Sequence, residues 1–103
     1  MAQFQLYRNQ RPSSSDIPYL LDVQSDAVDT GSRLVLPVIP ADRHGPPFTR
    51  LHPQVLVHGK PHVVVTSDAA AVAAQSLRPP VVADLTGQRH DFLNALDFLL
   101  TGY

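Results

Sequence analysis

Proline sets the terms on which this chain can fold. Ten prolines are spread between Pro12 and Pro80. Each lacks a backbone N–H and fixes its own φ, which breaks helix interiors and restricts strands to short runs, edges and bulges. Only one substantial helical pattern stands beside them, near the C-terminal end. The nine acidic residues are all Asp, a residue that suits turns and caps better than helix interiors. The pattern predicts a mainly β (α+β) protein of short antiparallel strands with stiff loops and a C-terminal α-helix.

The first strand is expected over Gln3 to Arg8, where apolar and polar residues alternate. Asn9 to Asp16 reads as a loop. Tyr19 to Gln24 resumes the alternation, with Tyr19, Leu21 and Val23 on one face, and the Asp-rich stretch from Ser25 to Gly31 reads as a turn or bulge. Leu34 to Ile39 is nearly continuous apolar sequence, interrupted at Pro37, which requires a bulge or an edge. Pro40 to Phe48 is a proline-rich loop. Val55–Val57 and His62–Thr66, joined through His58-Gly59-Lys60, read as a β-hairpin. The alanine-rich Ala69 to Ala74, with Ser67 or Asp68 as N-cap, predicts one or two helical turns. Val81 to Ala83 forms a last short strand. In the final helix Thr86 is the expected cap, Phe92, Leu93, Leu96, Leu99 and Leu100 recur at helical spacing, and Gly102 ends it.

At 103 residues the chain is sized for one hydrophobic core, and residues 1–103 are expected to form a single domain. There is no cysteine, hence no disulfide framework and no thiolate metal site. The N-terminal residues lack the basic and apolar regions of a secretory signal, and no run reaches the roughly 18 apolar residues that span a bilayer. A soluble, cytoplasmic protein is expected, with no membrane association. A net charge of -1 and scattered basic residues argue against non-specific nucleic-acid binding.

Several clusters of polar residues bear on chemistry. His58 and His62 flank a turn but lack further metal ligands nearby, so two exposed turn histidines are expected. Asp22, Asp26 and Asp29 do not follow calcium-loop spacing and read as turn and cap residues. Ser13-Ser14-Ser15-Asp16 has none of the context that activates a serine nucleophile. Arg50 and His52, placed on one strand, would share a face and offer phosphate binding with proton transfer, as a small ribonuclease requires. The tail Leu99-Leu100-Thr101-Gly102-Tyr103 carries apolar and aromatic bulk. Either the helix end docks on its own sheet, or it anchors another protein.

Leu21-Asp22-Val23-Gln24-Ser25-Asp26-Ala27-Val28-Asp29-Thr30, followed by Arg33 and Val35-Leu36-Pro37, resembles the signature of the CcdB toxin family. The opening Gln3-Phe4-x-Leu6-Tyr7, the middle Leu51-His52-Pro53 with the Gly59 hairpin, and the closing Val82-Ala83-Asp84-Leu85-Thr86 with Asp91 to Leu96 are similar to that family in the same order. The resemblance implies an SH3-like barrel with an added C-terminal helix, forming a homodimer around that helix. It implies the toxin of a type II toxin–antitoxin pair that binds the A subunit of DNA gyrase and traps its DNA-cleaved complex, without catalytic residues, cofactor or metal of its own. A CcdA-like antitoxin would wrap the toxin and release gyrase, and DNA would be met only indirectly through the toxin–antitoxin complex.

The gyrase-binding residues implied by that resemblance are Ala27, Val28, Asp97, Leu100, Thr101, Gly102 and Tyr103. Ala27 and Val28 are smaller than the family's usual isoleucines, Asp97 stands where family toxins carry Asn, and Thr101 stands where they carry the Trp that anchors the contact. Two other functions follow from these departures and from the fold. One is a diverged, non-poisoning protein that binds antitoxin and regulates its operon. The other is a ribonuclease toxin of the MazF or Kid type, built on the same barrel.

Overall fold

Period-two alternation and proline punctuation produce seven short strands in the computed structural model, which describes residues 2–45 and 50–102. They are β1 (Gln5–Arg8), β2 (Tyr19–Asp22), β3 (Ser32–Pro40), β4 (Gln54–Val57), β5 (Lys60–Val64), β6 (Ala70–Ala73) and β7 (Ala83–Asp84). A single helical turn, α1 (Ala41–His44), follows β3, and the C-terminal helix is α2 (Arg89–Thr101). Every pairing is antiparallel, in the order β4-β5-β3-β2-β1-β7, with β6 added to β3. The sheet curls into a nearly closed barrel of SH3-like, α+β character, with α2 against it.

β3 is the pivot. Along one side it pairs with β2 from Val35 to Val38. Along the other it takes β6 from Ser32 to Val35, then β5 from Val38 to Pro40. Pro37 falls between those two partners. Its carbonyl accepts from the Val65 N–H at 2.8 Å, so its missing N–H would have faced the junction where β5 hands over to β6. A proline is tolerated there because no ladder bond is lost.

The alanine-rich segment corrects the helical expectation. Ala70–Ala73 is a strand, its first residues paired with Val35 and Leu34, and only a 3₁₀ turn at Thr66–Asp68 precedes it. Alanine favours helix by propensity, but so short a segment cannot offset the cost of helix nucleation. Pairing with β3, with Val72 buried, supplies the stabilisation instead. The β4–β5 hairpin closes through His58 (φ 52) and Gly59 (φ 76). Two consecutive left-handed residues make the type I′ turn that matches strand twist.

Adjacent residues of a strand point to opposite faces, so the sheet serves two apolar clusters. The larger, inside the barrel, joins Phe4, Leu6, Leu21, Leu36, Val57 and Phe92 with their neighbours. The smaller, on the outer face, joins Tyr7, Leu20, Val35, Val72 and Leu77. Phe92 and Ala95 lie on the buried face of α2, and the Phe92 ring sits 5.7 Å from that of Phe4. Burying one such ring contributes about 1.5–3 kcal/mol.

Thr86 does not cap the helix. It opens a 3₁₀ turn ahead of α2, and its N–H and hydroxyl both donate to the Asp84 carboxylate. Those two bonds hold the Asp84 carboxyl below its ordinary range. The expected strand at Val81 to Ala83 is displaced to Ala83–Asp84, with Val82 still donating to the Leu6 carbonyl. Gly102 ends α2 as expected: at φ 77 it is left-handed, and its N–H closes on the Phe98 carbonyl at 2.9 Å. Among the described residues, no helix is long and apolar enough to cross a membrane.

Candidate functional site

The Asp-rich turn after β2 is held by a buried ion pair. Asp22 serves the turn as expected, its Oδ1 accepting from the Gln24 N–H at 3.1 Å, and as the last residue of β2 its side chain is also fully buried. Arg33, on β3, donates Nε to Asp22 Oδ2 at 2.8 Å. Its Nη2 reaches the Gln24 carbonyl at 2.9 Å and Asp26 Oδ1 at 3.1 Å. Burial pushes the Asp22 carboxyl up, and the hydrogen bond from Arg33 opposes that push. A carboxylate taken out of water in this way is tolerable only while its cation stays beside it.

Gln24 extends the network into the loop. Its side-chain amide donates to the carbonyls of Val28 and Ser32, and its Oε1 accepts from the Leu34 N–H at 2.8 Å. Asp29 accepts from the Gly31 N–H two residues on, the turn duty expected of it, whereas Asp26 accepts from the distant Gln3 N–H and from Arg33. The loop that results is polar within and presents Ala27 and Val28 outward, Val28 being 48% exposed. The order Asp-Val-Gln-Ser-Asp with a later Arg is thus a set of parts for one small rigid platform.

The second feature is the last turn of α2. Its inner face is anchored by Phe92 and Ala95, while Leu99 is 39% and Leu100 78% exposed. Asp97 and Thr101 are exposed as well, and the Thr101 hydroxyl donates back to the Asp97 carbonyl at 2.7 Å. The flank of the helix is covered by Arg50, whose guanidinium lies 4.4 Å from the centre of the Phe98 ring, a cation–π contact. Tyr103 lies outside the described residues. The candidate residues therefore fall in two places, the platform (Ala27, Val28) and the helix end (Asp97, Leu100, Thr101, Gly102). No hydrogen bond or ion pair joins the two among the described residues.

Sequence reasoning missed the Arg33 anchor and the Arg50–Phe98 contact. The first left a trace, a lone Arg eleven residues after a strand Asp; the second is non-local and left none. The ribonuclease grouping does not assemble. Arg50 and His52 lie in the turn before β4 rather than on a strand. Arg50 is committed to Phe98, and His52 is buried against Ser67 Oγ at 2.9 Å and the His44 ring at 4.9 Å. His62 corrects the expectation of two exposed turn histidines: it is buried, its Nδ1 2.9 Å from the Lys60 carbonyl oxygen and its ring against Tyr19.

The comparisons agree with this geometry. A search of curated proteins gave no match. The sequence profile described as "CcdB protein" matches residues 3–102, from the turn ahead of β1 through the glycine that ends α2. It spans the platform, the barrel and the exposed helix end together. The chain belongs to the CcdB family, a family of toxin–antitoxin toxins.

Proposed function

We propose that this chain acts on the A subunit of DNA gyrase, trapping the DNA-cleaved complex, and that a CcdA-like antitoxin relieves it. The observation that supports this reading is the helix end. Leu100, 78% exposed, stands two turns beyond Phe92, at the end of a helix that Phe92 and Ala95 anchor to the barrel. Exposed apolar side chains on a rigid element are how a protein presents a contact surface with little ordering cost. Gly102 keeps the adjoining backbone bare. Two such ends, brought together in a homodimer around α2, would give a symmetric surface with Ala27 and Val28 as its outer contacts. The protein then needs no catalytic group, because the broken DNA is the work of the enzyme it holds.

A second reading rests on Thr101. Its hydroxyl is turned back onto the helix, and its small side chain offers none of the stacking area of an aromatic anchor. On that reading the chain binds antitoxin and regulates its operon without poisoning gyrase. Binding assays with immobilised gyrase A subunit separate the two. The gyrase-directed reading requires binding that weakens on Leu100→Ser and is released by antitoxin. Antitoxin binding without gyrase binding would favour the second.

A further inference from the structure

The hairpin side of the barrel carries a cleft of about 690 Å³ that shares no lining residue with those assigned above to gyrase. Its walls come from the 3₁₀ turn at Pro12–Ser15, the start of β2, α1, and the β4–β5 turn. Arg43 and Lys60 line it, and neither has a carboxylate partner among the described residues. Arg43 is nonetheless held in place, because Nη1 donates to the Ser15 carbonyl at 2.9 Å and so ties α1 to the turn opposite. Its remaining N–H groups, the Lys60 ammonium and the hydroxyls of Ser14 and Ser15 are uncommitted to other protein groups among the described residues. Among the described residues, Asp42 is the one acid on the lining. For a chain whose net charge is -1, two cations, one of them held in place, and two free hydroxyls around one cleft are a local excess of donors.

The rest of the lining is ring and proline. The Tyr19 ring meets the His62 ring at 5.6 Å, and Pro18 and Pro61 share the lining. A concave site of this size with rigid apolar walls and a few convergent donors suits a compact ligand better than an extended chain. Arg and Lys together with hydroxyls are the donors that recognise phosphate. We propose that this cleft binds a nucleotide, with the phosphate on Arg43, Lys60 and the serine hydroxyls, and the base against the Tyr19, His62 and proline wall. The nucleotide can be free or the terminal residue of a single strand.

Isotope-labelled protein titrated with inorganic phosphate, adenosine monophosphate, adenosine and a short single-stranded oligonucleotide tests this by amide chemical shifts. The monophosphate is expected to shift Ser14, Ser15, Tyr19 and Lys60 in a saturable way and to bind more tightly than phosphate or adenosine alone. Lys60→Glu, an exposed hairpin position whose backbone contacts persist, should weaken binding at least about tenfold through charge reversal, with thermal stability checked in parallel. Tighter binding of the oligonucleotide than of the monophosphate identifies a strand end as the source, and the reverse identifies the free nucleotide. The proposal is overturned if no cleft amide shifts, if Lys60→Glu binds as well as the parent, or if phosphate alone binds as tightly as the nucleotide.

Discussion

Replacing Arg33 by Met should expose how much of the fold depends on one ion pair. Methionine keeps the aliphatic stem, so the change removes charge and hydrogen bonds with little loss of packing. Asp22 keeps the Gln24 N–H as a donor but loses the 2.8 Å bond from Arg33 while its side chain stays fully buried. Removing one partner of a buried pair costs about 3–5 kcal/mol. At a slope of about 1.5 kcal/mol/M this is a fall of roughly 2–3 M in the urea midpoint. Adding Asp22→Asn, which keeps the shape and removes the orphaned charge, should restore at least about half of the loss.

The deficit should also depend on pH. Burial already raises the Asp22 carboxyl, and deleting Arg33 removes the hydrogen bond that opposes it. A carboxyl whose folded pKa lies above its unfolded value of about 3.9 costs the fold nothing below that value. The cost grows as pH rises towards the folded pKa. The gap between parent and Arg33→Met should therefore be widest at neutral pH and narrow as pH falls towards 4. Amide exchange at Ala27 and Val28 should quicken in step, since the platform loses its anchor. A deficit under about 1 kcal/mol at pH 7, a deficit indifferent to pH, or no relief from Asp22→Asn would refute the reasoning.

Three further outcomes are expected. Phe92→Ala empties the contact with Phe4 at the centre of the main core and should cost about 3–5 kcal/mol, read by the same denaturation curves. Burial, and then the neighbouring His44, hold the His52 imidazole below its ordinary range. The stability this neutral ring supports is complete above its unfolded pKa of about 6.5 and is lost as pH falls below that value. Melting temperatures measured from pH 7.5 down to 5 should decline, and His52→Gln should flatten that part of the decline. Leu100→Ser should leave stability within about 0.5 kcal/mol of the parent. The same change should weaken binding to gyrase A subunit by about 2 kcal/mol or more, measured by surface plasmon resonance.

How much of this was legible beforehand depended on the range of the interactions involved. The Phe92-to-Leu100 pattern and Gly102 are local signals, and α2 and its left-handed cap follow from them. The His58-Gly59 turn is equally local, and the hairpin stands where it was expected, though its second strand begins at Lys60. Ala70–Ala73 was misread because propensity is a property of the residue and pairing is a property of the whole sheet. Nothing near those alanines announces that β3 lies alongside them. Asp22 was read only in part for a similar reason: it does serve the turn through the Gln24 N–H, but nothing local shows that it is buried, which Arg33 on the neighbouring strand makes tolerable. For the surface, the resemblance marked both the loop and the helix end. It did not show why Val28 and Leu100 are exposed: Gln24 bonds hold the loop that presents Val28, and Leu100 lies in the last turn of α2, beyond its buried residues Phe92 and Ala95. The donor-lined cleft draws on four segments far apart in the chain, which is why spacing alone did not reveal it.

The most direct test of the gyrase assignment is a cleavage and supercoiling assay, with purified protein added to gyrase and plasmid DNA. The proposed function requires cleaved complexes to accumulate as supercoiling falls. Antitoxin should reverse the effect, Leu100→Ser should blunt it, and Thr101→Trp should strengthen it. Gyrase that stays fully active, with no cleaved DNA, at protein concentrations that saturate the antitoxin would contradict it, and would leave a toxin fold that has kept its partner and lost its target.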